Sequence, residues 1–76
     1  MKLHEEDIIR DRVGMYRFIY FVVEEITAPD ENKRCIVYGT RIRISDRVTF
    51  GRRRLITILY KGHLSHYYTV IGNLND

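Results

Sequence analysis

The chain has 76 residues, 45% of them hydrophobic and 12% aromatic, one cysteine and a formal net charge of +3. This length supports one core and excludes a second, and the apolar and aromatic content excludes a disordered chain. The single Cys35 excludes an internal disulfide and any zinc site that needs two or more thiolates, which fits a reducing compartment.

Charge is unevenly placed along the chain. Residues 33–61 carry nine of the 13 Lys and Arg residues against one acid, Asp46, and sit at +8, whereas residues 1–32 hold four basic and eight acidic side chains and sit at −4. A one-signed patch steers polyanions, anionic membranes and acidic proteins towards it. The acidic start Met1-Lys2-Leu3-His4-Glu5-Glu6-Asp7 lacks the basic flank and apolar stretch of a secretory signal. The longest apolar run, Phe18 to Val23, is six residues, against about 20 for a bilayer-spanning helix. A cytoplasmic protein without membrane association is expected. One core of this size yields only about 3–5 kcal/mol of stability, so self-association is part of the expectation.

In chain order, Asp7-Ile8-Ile9-Arg10-Asp11 reads as a first strand followed by a turn at 12–15 that holds Gly14, with a short amphipathic helix over 4–13 as the rival. Tyr16 to Val23 is almost wholly aromatic and β-branched, which suits a pleated surface. Both of its faces are apolar, so it reads as a central strand covered on both sides. Adjacent Glu24 and Glu25 at its end are expected on opposite faces, which disfavours a carboxylate dyad. Thr27 to Asn32 contains the Pro-Asp turn chemistry of a hairpin loop. Residues 34–44 then give the best alternation in the chain, with Ile36, Tyr38, Thr40, Ile42 and Ile44 opposite Arg41 and Arg43. That pattern places the two arginines on one face of the sheet, and Gly39 permits a bulge or a close backbone approach. Ser45-Asp46 starts a turn, and Arg47 to Phe50 is a short strand that closes an antiparallel meander.

The last third supports two readings. Residues 55–60 and 67–71 are rich in β-branched and aromatic side chains, with Lys61-Gly62-His63 as a turn between two strands. Leu55, Ile58, Leu59 and then Tyr67, Val70, Ile71, Leu74 also follow helical spacing, with Ser65 as an N-cap and Gly62 at a helix C-terminus.

The run Tyr16-Arg17-Phe18-Ile19-Tyr20, the acidic strand end Glu24-Glu25, Val37-Tyr38-Gly39-Thr40-Arg41-Ile42, Leu55-x-x-x-Leu59-Tyr60 and Leu64-Ser65-His66-x-x-x-Val70-Ile71-x-x-Leu74 resemble a family of small uncharacterised proteins from clostridial-type bacteria. The resemblance covers about residues 8–75 and implies an antiparallel meander followed by two helices. It brings no activity. The chain departs from that family in a shortened connection at 45–54, in His66 where a proline usually starts the last helix, and in several missing acids.

The fold expected is therefore α+β, one domain over residues 1–76, with an antiparallel meander of three to four strands packed against a C-terminal helical pair. The alternative is an all-β small barrel of five or six strands. Among candidate sites, Arg41, Arg43, Arg47, Arg52, Arg53 and Arg54 supply cations for phosphate contacts, and Tyr38 supplies a ring for a base. The competing reading is a solvated sheet face and a charged loop at 51–54, with arginine stems covering apolar surface. His63-x-x-His66 provides only two ligands, short of a zinc site. Cys35 beside Lys33 and Arg34 reads more readily as a small buried residue than as an activated thiolate. The five glycines are dispersed, with no phosphate loop, and no Gly-x-Ser-x-Gly or His-Glu-x-x-His pattern occurs.

No catalytic residue, metal, cofactor or small-molecule substrate is expected. The function expected is a non-catalytic binding or regulatory domain that contacts a protein partner, or its own copy, through a basic sheet face. Nucleic-acid binding through the arginines of 41–54 is the first alternative. Inhibition of a host enzyme by a phage or mobile-element protein is the second.

Overall fold

The computed structural model describes residues 2–15 and 17–76, so Met1 and the expectation that Tyr16 opens the central strand lie outside the described residues. Five strands, β1 (Asp7–Val13), β2 (Arg17–Ile26), β3 (Arg34–Arg43), β4 (Val48–Tyr60) and β5 (Tyr68–Asn73), form one antiparallel sheet in the order β4-β3-β2-β1-β5. The chain meanders through four strands, and the fifth returns to the free edge of the first. β2 is the middle strand, and its Phe21, Val22 and Val23 are all buried, as two apolar faces require.

The C-terminal helical pair is absent. No helix occurs among the described residues, so the α+β expectation and the two helices implied by the family resemblance are both overturned. Leu55 to Tyr60 belongs to a 13-residue strand, and 68–73 pairs with β1 in the register Ile9↔Val70 and Asp11↔Tyr68. Two effects decide this. β-Branched and aromatic side chains favour the pleated surface, and β1 would otherwise have been an unpaired edge beside the core.

The helical spacing of Leu55, Ile58 and Leu59 has a different origin. A bulge between Val37↔Thr57 and Tyr38↔Leu55 inserts Ile56 as an extra residue. The insertion shifts the alternation by one position and mimics a three-residue step. Only Leu59 of the three is buried, while Leu55 and Ile58 remain exposed. The class is thus all-β, as in the alternative reading, but no ladder joins β4 to β5. The sheet instead rolls until the Tyr68 hydroxyl of β5 donates to the Ile56 carbonyl of β4 at 3.2 Å.

The concave face holds the main core of Leu3, Ile9, Phe21, Val23, Cys35, Val37 and Leu59, joined by Ile56, Leu64 and Val70. On the outer face Ile8, Val22 and Ile42 form a second cluster with Tyr20 and Leu74. Beyond β5 the chain turns over this cluster, and Arg47 donates to the Asp76 carbonyl at 3.3 Å. Gly39 sits in the β2–β3 ladder opposite Val23, with no room for a side chain. A Cβ there would collide with the Val22 carbonyl oxygen and meet the Ile56 side chain.

Candidate functional site

The alternation of β3 is present, but its two faces have unexpected roles. Arg41 lies on the same side as Cys35 and Val37, both core residues. That side is the concave face and not a solvated basic one. Arg41 is partly buried, and its guanidinium carbon lies 5.0 Å from the Phe50 ring centroid. Its Nε is buried without a hydrogen-bond partner, which holds for no other side-chain nitrogen or oxygen of the buried and partly buried residues described. An unsatisfied buried donor costs about 1–3 kcal/mol, and more when charged.

The remaining sequence-predicted cations disperse. Arg43 forms a fork with Asp46 at 2.6 to 3.0 Å across the β3–β4 turn. Its hydrogen bond holds the Asp46 carboxyl below the ordinary carboxylate value, and Asp46 raises the guanidinium in return. Arg53 pairs with Glu25 and lies 5.3 Å over the Tyr38 ring. Arg52 to Arg54 do not form a loop: they lie in β4, where a wide bulge places several residues between Gly39↔Arg54 and Arg41↔Phe50. β4 is an edge strand, and charged side chains there discourage pairing with another chain. Tyr38 is therefore spatially apart from Arg41, Arg43 and Arg47, on the other flank of this bulge.

The acids also move from their expected places. A bulge between Val23 and Glu25 puts both glutamates on the outer face, where Thr40 donates to Glu24 and Arg53 to Glu25. The opposite-face expectation for Glu24 and Glu25 fails for this reason. The β1–β2 pairing Ile8↔Val22 then brings Glu5, Glu6 and Asp7 to the same end as Glu24 and Glu25. That end is mixed in charge, because the β3–β4 register brings Lys33, Arg34 and Lys61 to it as well.

At the opposite end the hairpin gathers a group that the sequence alone does not single out. Arg10 and Arg12 alternate on the outer face of β1, opposite Tyr20 and Phe18. The Arg10 guanidinium carbon lies 4.6 Å over the Phe18 ring. Arg12 and Arg17 are exposed and have no acidic partner among the described residues. The Arg12 amide donates to the Tyr67 carbonyl at 3.2 Å, and the Tyr67 ring lies against that of His66, tilted by 35° with the centroids 4.1 Å apart. Phe18 is 42% exposed and Phe50 45%, although burial would ordinarily be favoured for both.

A cleft opens within this end of the sheet. β1 and β2 stay paired as far as Val13↔Arg17, and β3 and β4 as far as Arg43↔Val48, but the β2–β3 ladder stops at Phe21↔Arg41. The two hairpins part there. Between them lies a cavity of about 380 Å³ with Phe18, Ile19 and Tyr20 on one wall and Arg41 to Ser45 with Phe50 on the other.

His63 forms an isolated bridge with Tyr60, and Ser65 and His66 lie in the turn before β5 instead of capping a helix. Among the described residues no three His, Cys, Asp or Glu side chains come together as a metal site. Cys35 is buried in the core. No helix is long and apolar enough to cross a membrane. Burial raises the Tyr68 hydroxyl above its usual 10.0, and the charge of Asp11 pushes the same way. Comparison with protein-family models, curated proteins and solved structures finds no match.

Proposed function

We propose that the protein binds single-stranded nucleic acid across the end of the sheet that carries Arg10, Arg12, Arg17, Phe18, Arg41, Phe50 and Tyr67. The observation that carries this reading is the interleaving there of arginines that have no acidic partner among the described residues with partly exposed aromatic rings, Arg10 lying over Phe18 and Arg41 over Phe50. Cations alone fit any anion. Rings added to them fit unpaired bases, each base–aromatic stack contributing about 1–3 kcal/mol with little dependence on sequence.

The test is fluorescence anisotropy with a labelled random single strand and a random duplex, over a range of salt. The single strand binds more tightly than the duplex, and log affinity falls with log salt with a slope of about −0.7 per phosphate contact. The double substitution Arg10→Gln with Arg12→Gln lowers single-strand affinity several-fold at low salt. An unchanged affinity in that variant overturns the reading.

Contact with a protein partner or a second copy is the second reading. It is favoured by one observation, the edge strand β4 with exposed Leu55, Ile58 and Tyr60. Arg52 to Arg54 on the same edge weigh against it. Sedimentation of the protein at increasing concentration separates a dimer from a monomer.

A further inference from the structure

We infer that the cleft between the β1–β2 and β3–β4 hairpins is a subsite for one nucleotide, its phosphate held by Arg41 and its base resting against Phe18 or Phe50. The inference rests on the nucleic-acid reading and adds a specific pocket to it. Three features of the cleft agree. The volume of about 380 Å³ falls in the range of small-ligand sites, about 300–1,000 Å³, as do two other surface grooves of about 450 and 600 Å³, so it is the lining that singles out this cleft. The buried Arg41 Nε lacks a partner, and buried donors are almost always satisfied by protein, water or a ligand. A phosphate oxygen is the acceptor an arginine fork suits best.

The rings form the third feature. Phe18 and Phe50 line the cavity while remaining exposed, so a planar base covers ring surface that no side chain of the described residues buries. Backbone groups along 19–20 and 42–43 that face the gap have no ladder partner. They are free to bond the edges of a base. Arg43 lines the same wall but is held by Asp46. Arg41 is therefore the principal anion ligand.

The experiment is amide chemical-shift titration with adenosine 5′-monophosphate, uridine 5′-monophosphate, adenosine and inorganic phosphate, each alone. Both nucleotides shift the amides of 18–20 and 41–45, and bind at least fivefold more tightly than adenosine or phosphate. Arg41→Lys keeps the charge but removes the fork, and weakens both nucleotides at least fivefold. The double change of Phe18 and Phe50 to Ala does the same by removing both rings the base could rest on, and covers the case in which the Arg41 variant fails to fold. Arg52→Gln leaves nucleotide affinity unchanged.

A strand of eight uridines that binds at least tenfold more tightly than the mononucleotide identifies a polymer as the source, and equal affinity identifies a free nucleotide. Either result supports the subsite. No nucleotide-induced shift, or phosphate binding as tightly as nucleotide, overturns it, as does a tetraglutamate peptide that shifts these amides more strongly. If long strands bind while mononucleotides do not, the cleft fails as a subsite and the surface reading stands. If neither binds, both fall.

Discussion

Replacing Gly39 with alanine tests the packing between β2, β3 and β4. A Cβ at this position comes well inside 3.0 Å of both the Val22 carbonyl oxygen and Ile56 Cδ1, a separation that real Cβ atoms essentially never show. Ile56 can move its terminal carbon, but the Val22 carbonyl belongs to the β2–β3 ladder and cannot yield without parting the strands. Overpacking that forces a backbone shift costs about 1–3 kcal/mol, occasionally more, and a backbone collision on top of a side-chain clash puts Gly39→Ala at about 3 kcal/mol or above. A domain of this size has about 3–5 kcal/mol in total. At about 4–8 °C of midpoint per kcal/mol, the variant melts roughly 12–24 °C lower. Far-UV circular dichroism during heating measures this. Gly72→Ala is the control, because a Cβ there meets nothing within 4 Å, and it changes the midpoint by only a few degrees. A Gly39→Ala midpoint within about 4 °C of the wild type refutes the packing argument.

Tyr68→Phe deletes the hydroxyl that ties β5 to the Ile56 carbonyl, at about 1 kcal/mol for one hydrogen bond. Because the folded-state value is raised, the contribution is whole below the unfolded value near 10.0 and is lost as pH rises through the folded one. Midpoints between pH 9 and 11.5 therefore fall less steeply in Tyr68→Phe than in the wild type. Asp46→Asn releases the Arg43 guanidinium and increases single-strand affinity about two- to fivefold at low salt, read by anisotropy, with the gain erased at high salt. The triple change of Arg52, Arg53 and Arg54 to Gln reduces that affinity by less than about threefold, since Arg53 is paired with Glu25 and the group lies away from the cleft. A far larger loss in the same titration would relocate the site to the β4 bulge.

Much of the meander was legible because its signals were local. The Pro-Asp loop, the β-branched central run and the alternation of 34–43 each specify a strand or turn by near-neighbour chemistry. The C-terminal third was not, because bulges hide phase: Ile56 is one extra residue in β4, and the sequence then reads equally well at three-residue spacing. The same cause misplaced Glu24 and Glu25. Cations were counted by sequence segment, yet pairing decides which of them act together. Arg10, Arg12 and Arg17 sit among acids in the sequence, and only the β1–β2 register parts them from Glu5, Glu6, Asp7, Glu24 and Glu25, leaving Asp11 beside them. The alternation of Arg10 and Arg12, with Arg17-Phe18 just across a turn at Gly14, was the available signal. The partners of Arg43 and Arg53 were harder to foresee, since the Glu25 pair spans 28 positions.

The most direct measurement is an amide chemical-shift map of the protein titrated with a short unlabelled single strand at moderate salt. Shifts concentrated at residues 10–20, 41–50 and 66–69, with 52–54 and 24–34 nearly still, are the expected result. No shifts, or shifts centred on the β4 edge, would contradict a nucleic-acid surface at the arginine and aromatic end of the sheet.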